Sequence, residues 1–502
     1  MKKITQKLDN FFEITKRGTN FKIELYAGIT TFLSMAYILV VNPNNVLTNG
    51  SADPRFSSVF IATAIGSFVG TLMMALISKM PLAQAPGMGL NAVVGAIIGG
   101  SMGYSFSYGN AMALIFISGL LFLLLSFIPC DKDEKTGKTI SIREKIFEGM
   151  PKAIVNSISI GVGLFIAFIG LQNAHIIVSN EHTLVKLVDF NNPLAWVSGG
   201  ESCMALVALI GLVVIGILSH YKVKGAIIWG IVISTIAAIP LGVADLNILA
   251  GKIPGITWSF KGSISDYFNI FNDNSVFISL FRGGFSFPKG SLATCIMLIV
   301  SFFLIDLFDT MGTLIGCCKN AGLVDEDGKP LNYGEMMYVD SAASMVGSFV
   351  GTSTISTFVE SSTGISAGGR TGLTALVTSI LFLISIFLLP LFAFIPSASA
   401  ASALIYVGVV MMSNIKSVDF KHIKNAIPSF ITIIIMLVSY SITNGIGVGI
   451  ITYFFIDATI YLIDLFRYKT NKSKKVPKTE INIITIIIVA LFLIYFLVPI
   501  IK

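Results

Sequence analysis

Runs of about twenty mostly apolar residues follow one another from Glu24 to Leu465, and each is long enough to cross a bilayer as a helix. Hydrophobic residues make up 54% of the 502 and charged residues 12%, with a mean hydropathy of +0.84, which leaves no room for a separate soluble domain. The formal charge of +7 does not point to nucleic acid, because the Lys and Arg residues sit in short loops between apolar runs, where they report topology. Cys130, Cys203 and Cys295 are isolated and Cys317 and Cys318 adjacent, so neither zinc-ligand spacing nor a disulfide framework is present. No metal or cofactor is expected.

Residues 1–23 are polar, with Leu8, Phe11, Phe12 and Ile14 spaced for one helical face, and are expected to lie on the cytoplasmic membrane surface. The apolar run behind them is too long for a cleaved signal. Spans are expected near 24–47, 56–78, 82–99, 110–129, 151–173, 200–219 and 223–242, and again near 291–317, 335–350, 354–369, 372–395, 399–415, 426–441 and 444–466. The expected fold is therefore an all-α polytopic membrane protein of fourteen transmembrane segments. An odd number of spans per half turns the second half upside down, making 24–243 and 291–468 seven-plus-seven inverted repeats joined by an extracytoplasmic connection, 244–290. A weak internal trace supports this: the fifth and twelfth spans open at Pro151 and Pro396 and share a small-residue-rich run containing Val-Gly. The segment Asp131 to Lys152, with Lys132, Lys135, Lys138, Arg143, Lys145 and Lys152, is expected to be cytoplasmic, as are the N-terminus and the basic part of 469–502. Residues 481–500 are long enough for a fifteenth span.

The third run reads MPLAQAPGMGLNAVVGAIIGG, and Pro81, Pro86, Gly87 and Gly89 cannot support an uninterrupted helix. Its counterpart, GTSTISTFVESSTGISAGGRTG, reads as an extended strand leading into a short helix. Non-helical backbone at membrane depth is tolerated only against protein or a water-lined cavity, so two discontinuous spans with short β-strands place a binding site between them. The alternative is that the glycines only allow close helix packing.

Glu360 lies in the second break, and Asp306 and Asp309, on one helical face, lie in SFFLIDLFDTMGTLIG. Charges there are costly, and no Lys or Arg inside the spans can pair with them, so they are candidates for substrate binding and, for Asp309 and Glu360, proton coupling. For Asp306 a structural hydrogen bond to a neighbouring helix is the equal alternative. Asn91, with a donor and an acceptor, is a further candidate, its alternative being to cap the second half of the third span. Asp457, Asp464, Asp53 and Arg55 read as interfacial and structural. All four histidines fall at span ends or in loops, and no GxxxxGK[ST] loop is present, so neither an embedded enzyme nor ATP-driven transport is indicated.

These segments together resemble the AzgA-like adenine/guanine/hypoxanthine permeases, a branch of the nucleobase:cation symporters. The resemblance runs through GITTFLSMAYILVVNP (Gly28 to Pro43), APGMGLNA (Ala85 to Ala92), GVGLFIAFIGLQNA (Gly161 to Ala174), DLFDTMGTLIG (Asp306 to Gly316), GTSTISTFVESSTGISAGGRTGLTA (Gly351 to Ala375) and PSFITIIIMLVSYSITNGIGVGI (Pro428 to Ile450). It implies a core domain carrying the broken spans, a gate domain, and alternating access in a multi-pass plasma-membrane importer of purine nucleobases driven by protons, with dimers common for the fold. Carried onto matching positions, it implies a substrate site of Asn91, the backbone around Gly87 and Gly89, Asp306, Asp309 and Glu360, with Phe308 covering the purine face. The long 244–290 connection, the sparsely charged loop 174–199 and the tail after Arg467 depart from the pattern without touching these motifs. An anion transporter of the same fold, which would place a cation rather than acids at the midplane, and an uncoupled facilitator are the competing readings; a channel or an embedded enzyme finds no supporting pattern.

Overall fold

The computed structural model of the protein describes residues 2–47, 53–100, 104–132, 139–141, 145, 149–223, 226–249, 260–325, 329–388, 390–391, 394–470 and 481–497. It is a helical protein, and among the described residues eight helices are long and apolar enough to cross a membrane, from Phe21–Val46 to Asn444–Lys469. Shorter apolar helices, Trp229–Ala238, Gly372–Leu388, Ile423–Val438 and Ile483–Ile494, fall on further expected spans. The ninth run is the helix Tyr333–Val350, less apolar than these, and the third and tenth runs are broken, as anticipated from their Pro and Gly content. Each is a three-residue strand followed by a helix: Gln84–Pro86 then Met88–Ile98, and Ile355–Thr357 then Ser361–Ser366.

The connection 244–290 carries short helices, Leu246–Leu249 and Phe260–Phe268, and the loop 174–199 holds an antiparallel hairpin, Ile177–Asn180 with Leu184–Leu187. The run at the C-terminal end forms the helix Ile483–Leu497.

The chain divides into two compact units. The first comprises Met1–Leu123, Ala167–Asp306 and Thr313–Val407 and contains both broken spans. Within it the first span runs alongside the second broken span and the helix Gly372–Ser385 that follows it, with almost no room between backbones. A Cβ on Gly364 would sit 2.7 Å from the Ala27 carbonyl oxygen, and one on Gly28 would sit 2.6 Å from that of Thr374. Small residues at such crossings let the backbones approach, which is where helix association in a bilayer gains its packing energy. Glu24 fastens the same edge: its carboxylate accepts hydrogen bonds from the backbone N–H groups of Arg370 (2.8 Å) and Thr374 (3.1 Å) and from the hydroxyls of Thr371 (2.8 Å) and Thr374 (2.7 Å). An acid at the N-terminus of Gly372–Ser385 satisfies donors that the helix cannot.

The second unit comprises Leu124–Ile166, Leu307–Gly312 and Gly408–Lys502. Its core is the hairpin Ile423–Val438 and Ile442–Lys469, in which Gly445 and Gly449 pack on Met436 and Thr432 and Gly447 faces Phe492 of the last helix. Asp457 is buried here against Lys424, at 2.6 Å. The expectation of an interfacial Asp457 is thus corrected to a buried ion pair, because the first turn of Ile423–Val438 brings a lysine to it.

Candidate functional site: the paired helix breaks

The two broken spans meet as a two-stranded antiparallel ladder, with Gln84 opposite Thr357, Ala85 opposite Ser356 and Pro86 opposite Ile355. Bonds from Gly87 N to Thr354 O (3.0 Å) and from Phe358 N to Ala83 O (3.0 Å) extend it by one residue at each end. Pro86 is tolerated because a two-stranded ladder has an outer edge on which no N–H is required. Since the strands run in opposite directions, the helix beginning at Met88 leaves past the start of the second strand and the helix beginning at Ser361 leaves past the start of the first. Each break is set up by its approach. Before the first, a π-helical turn, Met74–Ser78, ends in left-handed Lys79; before the second, Gly351 at φ +87° ends Tyr333–Val350, in a position where a Cβ would lie 2.1 Å from the Val276 carbonyl oxygen.

Glu360 occupies the N-cap position of Ser361–Ser366, so the register of the second strand delivers its carboxylate to the end of the ladder. It is buried, and the hydroxyl of Tyr37 donates a hydrogen bond to its Oε1. Ser34, one turn before Tyr37, donates to the hydroxyl or accepts from that of Thr363 at 2.8 Å, and the Cys317 thiol reaches the Val359 carbonyl at 3.6 Å.

At the other break the N-cap of the half-helix is Gly87, and Asn91 lies a full turn inside, with its backbone N–H bonded to the Gly87 carbonyl at 2.9 Å. The side chain of Asn91 therefore does not cap. It is completely buried, and neither Oδ1 nor Nδ2 has a hydrogen-bond partner among the described residues. Leaving a buried amide unsatisfied costs about 1–3 kcal/mol, which sets Asn91 apart from the paired polar groups around it.

Asp306 is buried, and its Oδ2 accepts from Ser344 Oγ at 2.9 Å; that hydroxyl also lies 3.0 Å from the Ile355 carbonyl oxygen of the ladder. This is the helix-to-helix hydrogen bond weighed as the alternative for Asp306, and it ties Leu292–Ala321 to the second strand. Asp309, three residues on in the same helix, falls in the second compact unit and is partly exposed. Gly89 lies in the half-helix Met88–Ile98 and Phe308 in Leu292–Ala321; the burial of the one and the side chain of the other are outside the described features.

Two polar residues at the ladder had not been singled out. Gln84 Nε2 lies 3.3 Å from Asp340 Oδ1 and 3.4 Å from Thr357 Oγ1, and both Gln84 and Asp340 are wholly buried. The cost argument that selects Asp306 and Asp309 applies equally to Asp340, a carboxylate inside the apolar stretch Tyr333–Val350, and would have found it. Tyr37 carried no such signal, since an aromatic residue in an apolar run is ordinarily core.

A Xan_ur_permease model, described as "Permease family", matches residues 22–448. The chain belongs to this xanthine/uracil permease family. The permease is 36% identical over 446 residues to the adenine permease AdeP of Escherichia coli (strain K12), covering 89% of each chain. It is 35% identical over 444 residues to the guanine/hypoxanthine permease PbuO of Bacillus subtilis (strain 168), covering 88% of its own chain and 93% of that one. Among solved structures it is similar to the transmembrane domain of the cyanobacterial bicarbonate transporter BicA, with a TM-score of 0.54 over 84% of this chain and 97% of that one; at 15% identity this shows the seven-plus-seven fold alone. The expected family and the helical seven-plus-seven membrane fold are borne out, and the permease is an integral membrane protein.

Proposed function

We propose that this permease imports purine nucleobases together with protons by alternating access. The observation that carries the reading is the Asn91 amide, unpartnered among the described residues, beside one end of a ladder whose other end presents the Glu360 carboxylate. A purine edge alternates donors and acceptors, which a carboxamide and a carboxylate can match from two sides. Relatives of similar identity are named for adenine and for guanine/hypoxanthine, which favours the purine class without choosing a member. The carboxyl groups of Glu360 and Asp309 are the coupling groups: acids retained at membrane depth can take up a proton with substrate and release it afterwards. Asp306 and the backbone around Gly87 and Gly89 complete the site, with Phe308 over the purine face. The domain that carries the broken spans acts as the core that moves substrate, against a gate domain. The carrier resides in the plasma membrane with its N-terminus cytoplasmic, the side to which the basic loops assign it, and its homodimer follows the habit of the fold.

The test is uptake of radiolabelled hypoxanthine, guanine, adenine and uracil into proteoliposomes, with and without an imposed inward proton gradient. Saturable purine uptake driven uphill by the gradient is expected. Uptake that only equilibrates would replace the symporter by a facilitator, and no purine uptake would remove the substrate class.

A further inference from the structure

We propose that Tyr37 is a positioning residue of the substrate site, whose hydroxyl orients the Glu360 carboxylate so that its other oxygen meets the substrate. The inference rests on the purine-site reading of Glu360. Among the described residues, Tyr37 is the side chain that hydrogen-bonds this carboxylate, and both residues are buried. A phenol in that environment finds a partner for its O–H, and a carboxylate without a fixed donor would sample several rotamers.

The position of Tyr37 is itself imposed by the fold. The first span is interrupted between Met35 and Ile38, where Ala36 and Tyr37 form a tightened turn: Leu39 N bonds to Ala36 O at 3.2 Å, and Val40 N and Val41 N both reach Tyr37 O, at 3.0 and 2.9 Å. Such a mid-span tightening often marks a functional position. One turn earlier, Ser34 grips the turn that carries Glu360, through Thr363 Oγ1 at 2.8 Å and the Glu360 carbonyl at 3.4 Å. The close approach of Gly364 to Ala27 prevents the first span from sliding along the short helix. Backbone and side chain thus hold Glu360 from the same face, with Oε1 occupied by Tyr37. A carboxylate plane fixed before substrate arrives lowers the ordering cost of binding.

The experiment compares the wild type, Tyr37→Phe, Tyr37→His and Glu360→Gln in proteoliposome uptake, using whichever of hypoxanthine, guanine or adenine the wild type takes up, with melting temperatures of the detergent-purified proteins alongside. Tyr37→Phe is expected to raise KM roughly 10- to 100-fold, the worth of one hydrogen bond to a charged group, with a smaller change in maximal rate. Tyr37→His, which keeps a ring N–H donor, recovers part of that loss. A wild-type KM in Tyr37→Phe, when Glu360→Gln has lost uptake, overturns the role of Tyr37 and leaves the site standing; a wild-type KM in Glu360→Gln removes the site reading itself. Should Tyr37→Phe fail to fold, Tyr37→His decides: a KM near wild type upholds the donor role, and loss of saturable uptake in a folded Tyr37→His overturns it.

Discussion

Lys424 Nζ and Asp457 Oδ1 stand 2.6 Å apart, joining the first turn of Ile423–Val438 to the middle of Ile442–Lys469, with Asp457 buried and Lys424 a quarter exposed. Truncating one member of such a pair leaves the other charge poorly compensated in an apolar setting. Asp457→Asn is therefore expected to cost about 2 kcal/mol of stability, seen as a lower melting temperature in detergent, whereas the KM of the protein that remains folded stays at wild type. The double variant Asp457→Leu with Lys424→Met should recover most of the loss. An unchanged melting temperature in Asp457→Asn would count against the pair.

Glu360→Gln and Asp309→Asn are each expected to abolish accumulation against a gradient, because an amide cannot carry the proton. Counterflow exchange of preloaded substrate should survive better than uphill uptake if the lost function is coupling. Normal gradient-driven uptake in Glu360→Gln would sink the assignment.

Asn91 lets binding be separated from folding. Its buried amide lacks partners among the described residues, so Asn91→Ala removes an unsatisfied group and should leave the melting temperature unchanged or higher, while substrate affinity falls about tenfold or more. Equilibrium binding of radiolabelled purine to the purified protein measures this. A folded Asn91→Ala that binds normally would return Asn91 to a packing role.

Outside the membrane-spanning segments, Arg55 chelates Asp53 with Nε to Oδ1 at 2.9 Å and Nη2 to Oδ2 at 2.7 Å. Burial raises the Asp53 carboxyl pKa, but the hydrogen bonds and charge of Arg55 outweigh it and hold the group below its ordinary 3.8. Unfolding then takes up a proton in acid, so the contribution of the pair is complete at neutral pH and is lost as the pH falls below about 4. Melting curves of the wild type and Asp53→Asn should differ by about 1 kcal/mol near neutral pH and converge as the pH is lowered below the ordinary carboxylate value and through the depressed folded-state one. A constant difference across that range would show that the effect is not electrostatic.

Membrane helices are unusually legible because each must be apolar over its whole length and satisfy its own backbone. The expected span 56–78 and the helix Phe56–Ser78 coincide, and the breaks at Pro86 and before Glu360 lie where Pro, Gly and crowded Thr and Ser make a helix untenable. The high cost of a charge in hydrocarbon likewise made Asp306, Asp309 and Glu360 stand out. Pairings were not legible in the same way. Nothing in the apolar run around Tyr37 marks it as the partner of a residue more than three hundred positions away, and Asp457 could not be told from an interfacial acid until Lys424 was beside it.

The amino-acid sequence by itself determined that the chain crosses a membrane many times, where two of its spans break, and which acids it keeps at that depth, because composition, Pro and Gly act locally on the backbone and solvation acts on each residue singly. Only the tertiary structure decided that the two breaks hydrogen-bond as one ladder, that Asp306 is tied to Ser344, that Asn91 has no partner among the described residues and that Tyr37 holds Glu360. Each of these depends on which helices lie side by side and in what register, and small-residue contacts such as Gly364 against Ala27 set that register across long stretches of chain.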